Sequence, residues 1–184
     1  MKSPRTPKRA SASKWLALLP LLFLLSCAKK EEPPFMETKN VPATQFLCVA
    51  EDVSQSEISE FAEKSIGPLF ETLRQQGRKP TGNLQFLCPK WLGPDAKSTI
   101  VIGIPVAGEF PVASPQSLWK APAYHCASLL YRGPMSGLKE AWEQFGRRIA
   151  EQGWKTTGSW REVYRYWIAP DSTEDITELQ MEIE

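Results

Sequence analysis

The sequence predicts an α+β domain built from tandem duplicated β-α-β-β units, with an antiparallel sheet and two main helices. Three observations carry that prediction. Residues 76–95, QGRKPTGNLQFLCPKWLGPD, match residues 152–171, QGWKTTGSWREVYRYWIAPD, at eight of 20 positions with a constant offset of 76. Composition would give one or two such identities by chance. An amphipathic stretch precedes each copy and stops at the same glycine. Short apolar runs of strand length flank each stretch.

The chain opens on an address. Residues 1–14 carry five basic groups and no acid, and an apolar run, Trp15–Leu25, follows. That run is too short to span a bilayer, which takes about 20 residues, and it reads as a signal-peptide core. Leu24-Leu25-Ser26-Cys27 resembles the lipobox of bacterial lipoproteins, although Leu25 stands where a smaller residue is common. The resemblance implies a lipidated Cys27 at the start of the mature chain. Ala28, rather than an acid, follows it, which resembles the signal for sorting to the outer membrane facing the periplasm. Residues 1–26 are therefore expected as signal peptide and 27–44 as a lipidated cysteine with a flexible, Pro-containing tether.

Removing the signal changes the charge balance. The whole chain carries 22 basic and 21 acidic groups; residues 27–184 keep 17 and 21, a net charge of −4. An acidic domain argues against nucleic acid as a partner. An apolar content of 42% with seven Trp is enough for a packed core.

The domain is expected over 45–184, with repeat 1 at about 45–106, a Pro-rich crossover at 107–122 and repeat 2 at about 123–184. Strands are predicted at Gln45–Val53, Asn83–Trp91 and Ser98–Val106, then at Tyr124–Tyr131, Ser159–Ile168 and Ile176–Ile183. Ser54-x-x-Glu57 is a capping box for the first helix. Its apolar residues are Ile58, Phe61, Ala62, Ile66, Leu69, Phe70 and Leu73, and Gly67-Pro68 should kink or split it. Gly133-Pro134 followed by Ser136 opens the second helix, whose apolar face is Leu138, Ala141, Trp142, Phe145 and Ile149. Gly77 and Gly153 are the stops.

Cys48, Cys88 and Cys126 are an odd set, and no pairing among them is readable. His125 is the single histidine, so neither a Cys/His metal site nor any cofactor is expected.

Tyr131-Arg132-Gly133-Pro134-Met135, Ala141-Trp142, Gly153, Gly158 and Glu162-Val163-Tyr164 resemble the GyrI-like small-molecule-binding domain, also called the bacterial effector-binding domain. Tyr131 stands where that family usually has His, and Met135 where it often has Tyr. The resemblance covers about residues 44–184. It implies two β-α-β-β units with a groove between them, a small organic ligand that is often lipophilic and cationic, and a strand glutamate facing it.

Strand alternation puts Trp160, Glu162, Tyr164 and Tyr166 on one face, and Arg161, Val163, Arg165 and Trp167 on the other. Glu162 is the leading candidate, since a carboxylate among aromatic faces suits an organic cation. Read without the resemblance, it is equally a solvated strand residue. Its repeat equivalent is Phe86, which would make one wall acidic and the other apolar. Tyr131 would hydrogen-bond a ligand or the backbone; Trp119 would form a groove lip or pack as linker. Trp142 and Trp154 are expected in the core, and Trp91 and Trp167 as structural residues at strand ends.

Three functions follow as expectations: a membrane-anchored binding module for a small organic ligand, a hydrolase of an electrophilic compound with Glu162 as general base, and an envelope adaptor for a protein segment.

Overall fold

The structure, a computed structural model, describes residues 35–184. The expected signal peptide, Cys27 and the tether up to residue 34 lie outside them. The described elements are β1 (Met36–Val41), β2 (Thr44–Val53), α1 (Ile58–Gln75), β3 (Gln85–Cys88), β4 (Ser98–Pro105), β5 (Ser117–Ala121), β6 (Tyr124–Arg132), α2 (Leu138–Glu151), β7 (Thr156–Tyr166) and β8 (Ile176–Ile183). Each helix is entered through a 3₁₀ turn, Gln55–Glu57 or Met135–Gly137. None of the described helices is long and apolar enough to cross a membrane.

Local chemistry sets the helix ends. The Ser54 backbone N–H donates to Glu57 Oε2 at 2.8 Å, closing the capping box before α1. Gly77 and Gly153 stop the helices at φ of 61° and 72°, a region that suits a residue without Cβ. α1 runs unbroken through Pro68, contrary to expectation. Gly67 and Pro68 are both exposed, so the missing N–H falls on the solvent side, and Gly67 presents no Cβ to the proline ring.

All strands join one antiparallel sheet in the order β1-β6-β8-β7-β3-β4-β2-β5. Read from either end, that order exchanges the two repeats. The pseudo-twofold axis falls between β7 and β3, where Phe86 pairs with Glu162.

Two strands were not expected. Residues 36–41, assigned to the tether, form β1 and pair with β6 from Met36↔Leu129 to Val41↔Tyr124. Residues 117–121, assigned to the crossover, form β5 and pair with β2. Each arm therefore crosses to the other repeat. The arms are joined to the next strand by Pro42-Ala43 and Pro122-Ala123.

Those links force the sheet to roll. β1 and β2 lie six strands apart in the order. In a flat sheet that is about 29 Å, while Val41 to Thr44 reaches about 11 Å. The face without helices thus closes on itself. Arg161 on β7 reaches the Pro122 carbonyl at 3.4 Å and lies over the Tyr124 ring at 3.8 Å. Phe46, Cys48, Leu87, Val101 and Ala121 are buried there. So is Glu178, which accepts from Lys39, Arg165, Ser128 and Gln180.

On the opposite face α1 packs over β2 and β4, and α2 packs over β6. Their cores hold Phe61, Leu69 and Leu73 in one case and Leu138, Phe145 and Ile149 in the other. The helices cover the outer strands and leave the central β3–β7 ladder as an uncovered floor. Cys48, Cys88 and Cys126 are buried free thiols, and burial pushes each above its ordinary pKa, Cys88 to about 11.

Candidate functional site

The floor between the helices carries a groove of about 1070 Å³. Phe86 of β3 and Trp160, Glu162 and Tyr164 of β7 form its base. Ile58, Ala62, Ile66 and Phe70 supply a stripe along α1, one residue per turn. Met135, Leu138, Lys139 and Trp142 supply the wall at the start of α2. Tyr166 and Trp167 stand at the end of the floor.

Glu162 sits at the centre and is half-buried. Its two carboxylate oxygens take one neutral donor each. Trp142 Nε1–H donates to Oε1 at 2.7 Å, and the Tyr164 hydroxyl donates to Oε2 at 2.7 Å. No ion pair to Glu162 occurs among the described residues. Burial pushes its carboxyl above the ordinary range, and the bonds from Trp142 and Tyr164 offset part of that rise. Burial, together with the Glu162 charge, holds the Tyr164 phenol well above its ordinary value.

Aromatic rings fix this centre. Phe86 meets Tyr164 edge-on at 5.1 Å, and Trp142 meets Trp160 at 5.7 Å. Trp160 in turn meets Trp91 at 6.1 Å. Such contacts contribute about 0.5–1.5 kcal/mol each beyond their buried area. The carboxylate is therefore held in place by groups that are themselves packed.

Of the residues the sequence nominated, Glu162, Trp160, Tyr164 and Phe86 come together in the groove. Tyr131 does not. Its hydroxyl donates to the Pro134 carbonyl at 2.8 Å, and its ring packs over Gly133 and Gly137. A Cβ on Gly137 would sit 2.1 Å from that hydroxyl, so the tyrosine braces the helix entry. Trp119 does not line the groove either. Its register partner is Phe46, whose side chain points to the helix-free face, and the two rings stack there at 6.3 Å.

Some groove residues have roles the sequence does not show. Trp142 packs against the core as expected, and it is also a wall residue and a Glu162 donor. Trp167, expected on the other face, reaches the groove because the β7–β8 register shifts between Tyr164 and Tyr166. Asn83 Nδ2–H donates to the Tyr164 and Arg165 carbonyls at 2.9 and 3.1 Å and pins that irregularity. The α1 stripe also escaped notice. Its signal was an apolar arc on α1 too wide for one sheet contact.

No protein-family model matches the chain, and no curated protein matches it significantly. Solved structures do. The crystal structure of the EcmrR C-terminal domain aligns at a TM-score of 0.70 with 19% identity, covering 82% of this chain and 98% of that one. In the EcmrR–DNA complex the same match spans 57% of the EcmrR chain. SAV2435 bound to tetraphenylphosphonium aligns at 0.61 with 14% identity, covering 82% of this chain and 94% of that one. A hydrolase encoded by lin2189 from Listeria innocua aligns at 0.57 with 14% identity, over 84% of this chain and 94% of that one. The chain thus has the fold of these proteins, the duplicated α+β fold with one eight-stranded antiparallel sheet and two helices that the GyrI-like resemblance implies.

Proposed function

We propose that the chain is an envelope lipoprotein, anchored through Cys27, whose domain binds a small lipophilic organic cation in the groove over Glu162. The observation that carries this reading is the carboxylate itself. Glu162 lies on an apolar, aromatic floor with two neutral donors and no basic partner among the described residues. An acid so placed is costly to ionise, and a cation with apolar substituents removes that cost while covering the rings. The tetraphenylphosphonium in SAV2435 has that chemistry, on the same fold. Nucleic acid is not among the proposed partners, given the −4 net charge of residues 27–184. Neither a metal nor an organic cofactor is part of this reading.

The test is a titration of the full chain with tetraphenylphosphonium, read by tryptophan fluorescence. Glu162→Gln should weaken binding by tenfold or more, about 1.4 kcal/mol.

A second reading is favoured by the Tyr164–Glu162 hydrogen bond of 2.7 Å. Glu162 would take a proton from water attacking an electrophilic ligand, and the Tyr164 hydroxyl would protonate the leaving atom. Turnover of such a compound that is absent in Glu162→Gln separates hydrolysis from binding.

A further inference from the structure

The two repeats offer an internal control for which end of the domain is special. In repeat 1 the segment Lys90-Trp91-Leu92 follows the central strand β3. Trp91 is tucked against Trp160, and its N–H donates to the Gly158 carbonyl at 2.9 Å. The equivalent segment of repeat 2 is Tyr166-Trp167-Ile168. Its residues are 53%, 46% and 56% exposed. Leu92, the equivalent of Ile168, is 57% exposed as well, so the contrast lies at the tryptophan: Trp91 is half-buried, and Trp167 is exposed.

Other exposed apolar side chains gather at that second end. Tyr166 pairs with Ile176, and Ile176 with Arg132, the last residue of β6. Leu130 lies two residues inside that row and is 52% exposed. Phe35, one position outward from the Met36↔Leu129 pair, comes beside Leu130 and is 76% exposed. These side chains flank one end of the sheet, Leu130 on the helix-free side with its register partner Glu178 and Trp167 on the groove side, and exposed apolar side chains gathered in this way mark a contact surface. Trp and Tyr in particular suit a membrane–water boundary, where one end of the ring is apolar and the other wet.

The short sequence separation from Cys27 points to the occupant. Phe35 stands on this rim. Seven residues, 28–34, separate Phe35 from Cys27. Fully extended, that connection reaches about 28 Å. A lipid anchor on Cys27 would hold Phe35 within that distance of the bilayer. Tyr166 and Trp167 belong to the rim and line the groove as well, and Phe70 of α1, 44% exposed, lines the groove with them.

We propose that this rim docks on the lipid bilayer, with Trp167 at its centre, so that the groove mouth opens onto the membrane and takes its ligand from there. The inference rests on the anchored-binding reading above and adds an orientation and a route of entry. A lipophilic cation concentrates in the bilayer interface. A mouth held against that interface receives it without a passage through water.

The test uses the processed chain lipidated at Cys27, which lacks Trp15 of the expected signal, in vesicles of brominated phosphatidylcholine, whose bromines quench tryptophans that enter the acyl region. Quenching is compared with vesicles of unbrominated lipid. The wild type should be quenched, and Trp167→Phe should lose most of that quenching. Trp119→Phe, on the helix-free face, should keep it, as should Glu162→Gln. Absence of quenching in the wild type, or equal quenching in Trp167→Phe, overturns the docking. Tetraphenylphosphonium titrated into the same samples separates the two readings. Cation binding without quenching leaves the groove reading standing and removes the docking; quenching without cation binding does the reverse.

Discussion

Phe86 and Glu162 face each other as register partners across the central β3–β7 ladder, and they are the same position of the two repeats. One duplicated site thus carries a ring on one strand and a carboxylate on the other. A symmetric pair of acids at the axis would repel, and a symmetric pair of rings would offer no charge. The mixed pair gives one groove with a single anionic point.

Phe86→Leu should test that division of labour. The substitution removes the 5.1 Å edge contact with Tyr164 and leaves the carboxylate in place. Stability should fall by about 1 kcal/mol, and cation affinity should fall several-fold while Glu162 still titrates. Chemical denaturation and the fluorescence titration read both.

Glu162 should cost stability at neutral pH. A carboxyl whose folded pKa is raised contributes its stability below the unfolded value near 4.3 and loses it as pH rises through the folded value. Glu162→Gln should therefore be more stable than wild type at pH 7, by roughly 0.5–2 kcal/mol. The difference should vanish as pH drops below the Glu162 pKa. A pH series of thermal melts measures it.

Glu178 should behave in the opposite sense. Burial raises its pKa, but the bonds from Lys39, Gln180, Ser128 and Arg165 outweigh that and hold it at about 2. The stability it supplies is complete above the unfolded value near 4.3 and is lost as pH falls through about 2. Glu178→Gln should cost about 1.5–3 kcal/mol, since bonds to two cations are lost. It should also loosen β1, because Lys39 ties that arm to β8. Hydrogen exchange of the β1 amides reads the second effect.

Trp142→Phe and Tyr131→Phe should part company. Trp142 donates to Glu162, so its loss should move the Glu162 titration upward and weaken the cation severalfold. The Tyr131 hydroxyl bonds the Pro134 carbonyl, so its loss should cost about 1 kcal/mol and leave affinity unchanged. Binding measured across pH separates them.

The elements that carry strong local signals were legible. β8 falls at its predicted bounds, and the Ser54–Glu57 box opens α1 as its residues require. The arms β1 and β5 were not, because both are short edge strands whose pairing partners lie in the other repeat. The repeated Pro-Ala pair, Pro42-Ala43 and Pro122-Ala123, was the available clue. At the site, alternation along β7 put Trp160, Glu162, Tyr164 and Tyr166 together, and all four line the groove. Trp167 was missed because a register shift has no signature in side-chain period. Trp142 packs on the core as a helix-face aromatic should, but its second role was not legible, because the acceptor for its indole N–H, Glu162, lies 20 residues away on another element.

The most direct test of the central claim is the affinity of tetraphenylphosphonium for the wild type and for Glu162→Gln, measured by calorimetry in buffers of different ionisation enthalpy. Binding to the wild type should release protons near the Glu162 pKa and strengthen as pH rises through it, and Glu162→Gln should lose both the proton release and at least tenfold in affinity, about 1.4 kcal/mol. Equal affinity in the two proteins, with no proton linkage in either, would contradict a carboxylate-centred cation site.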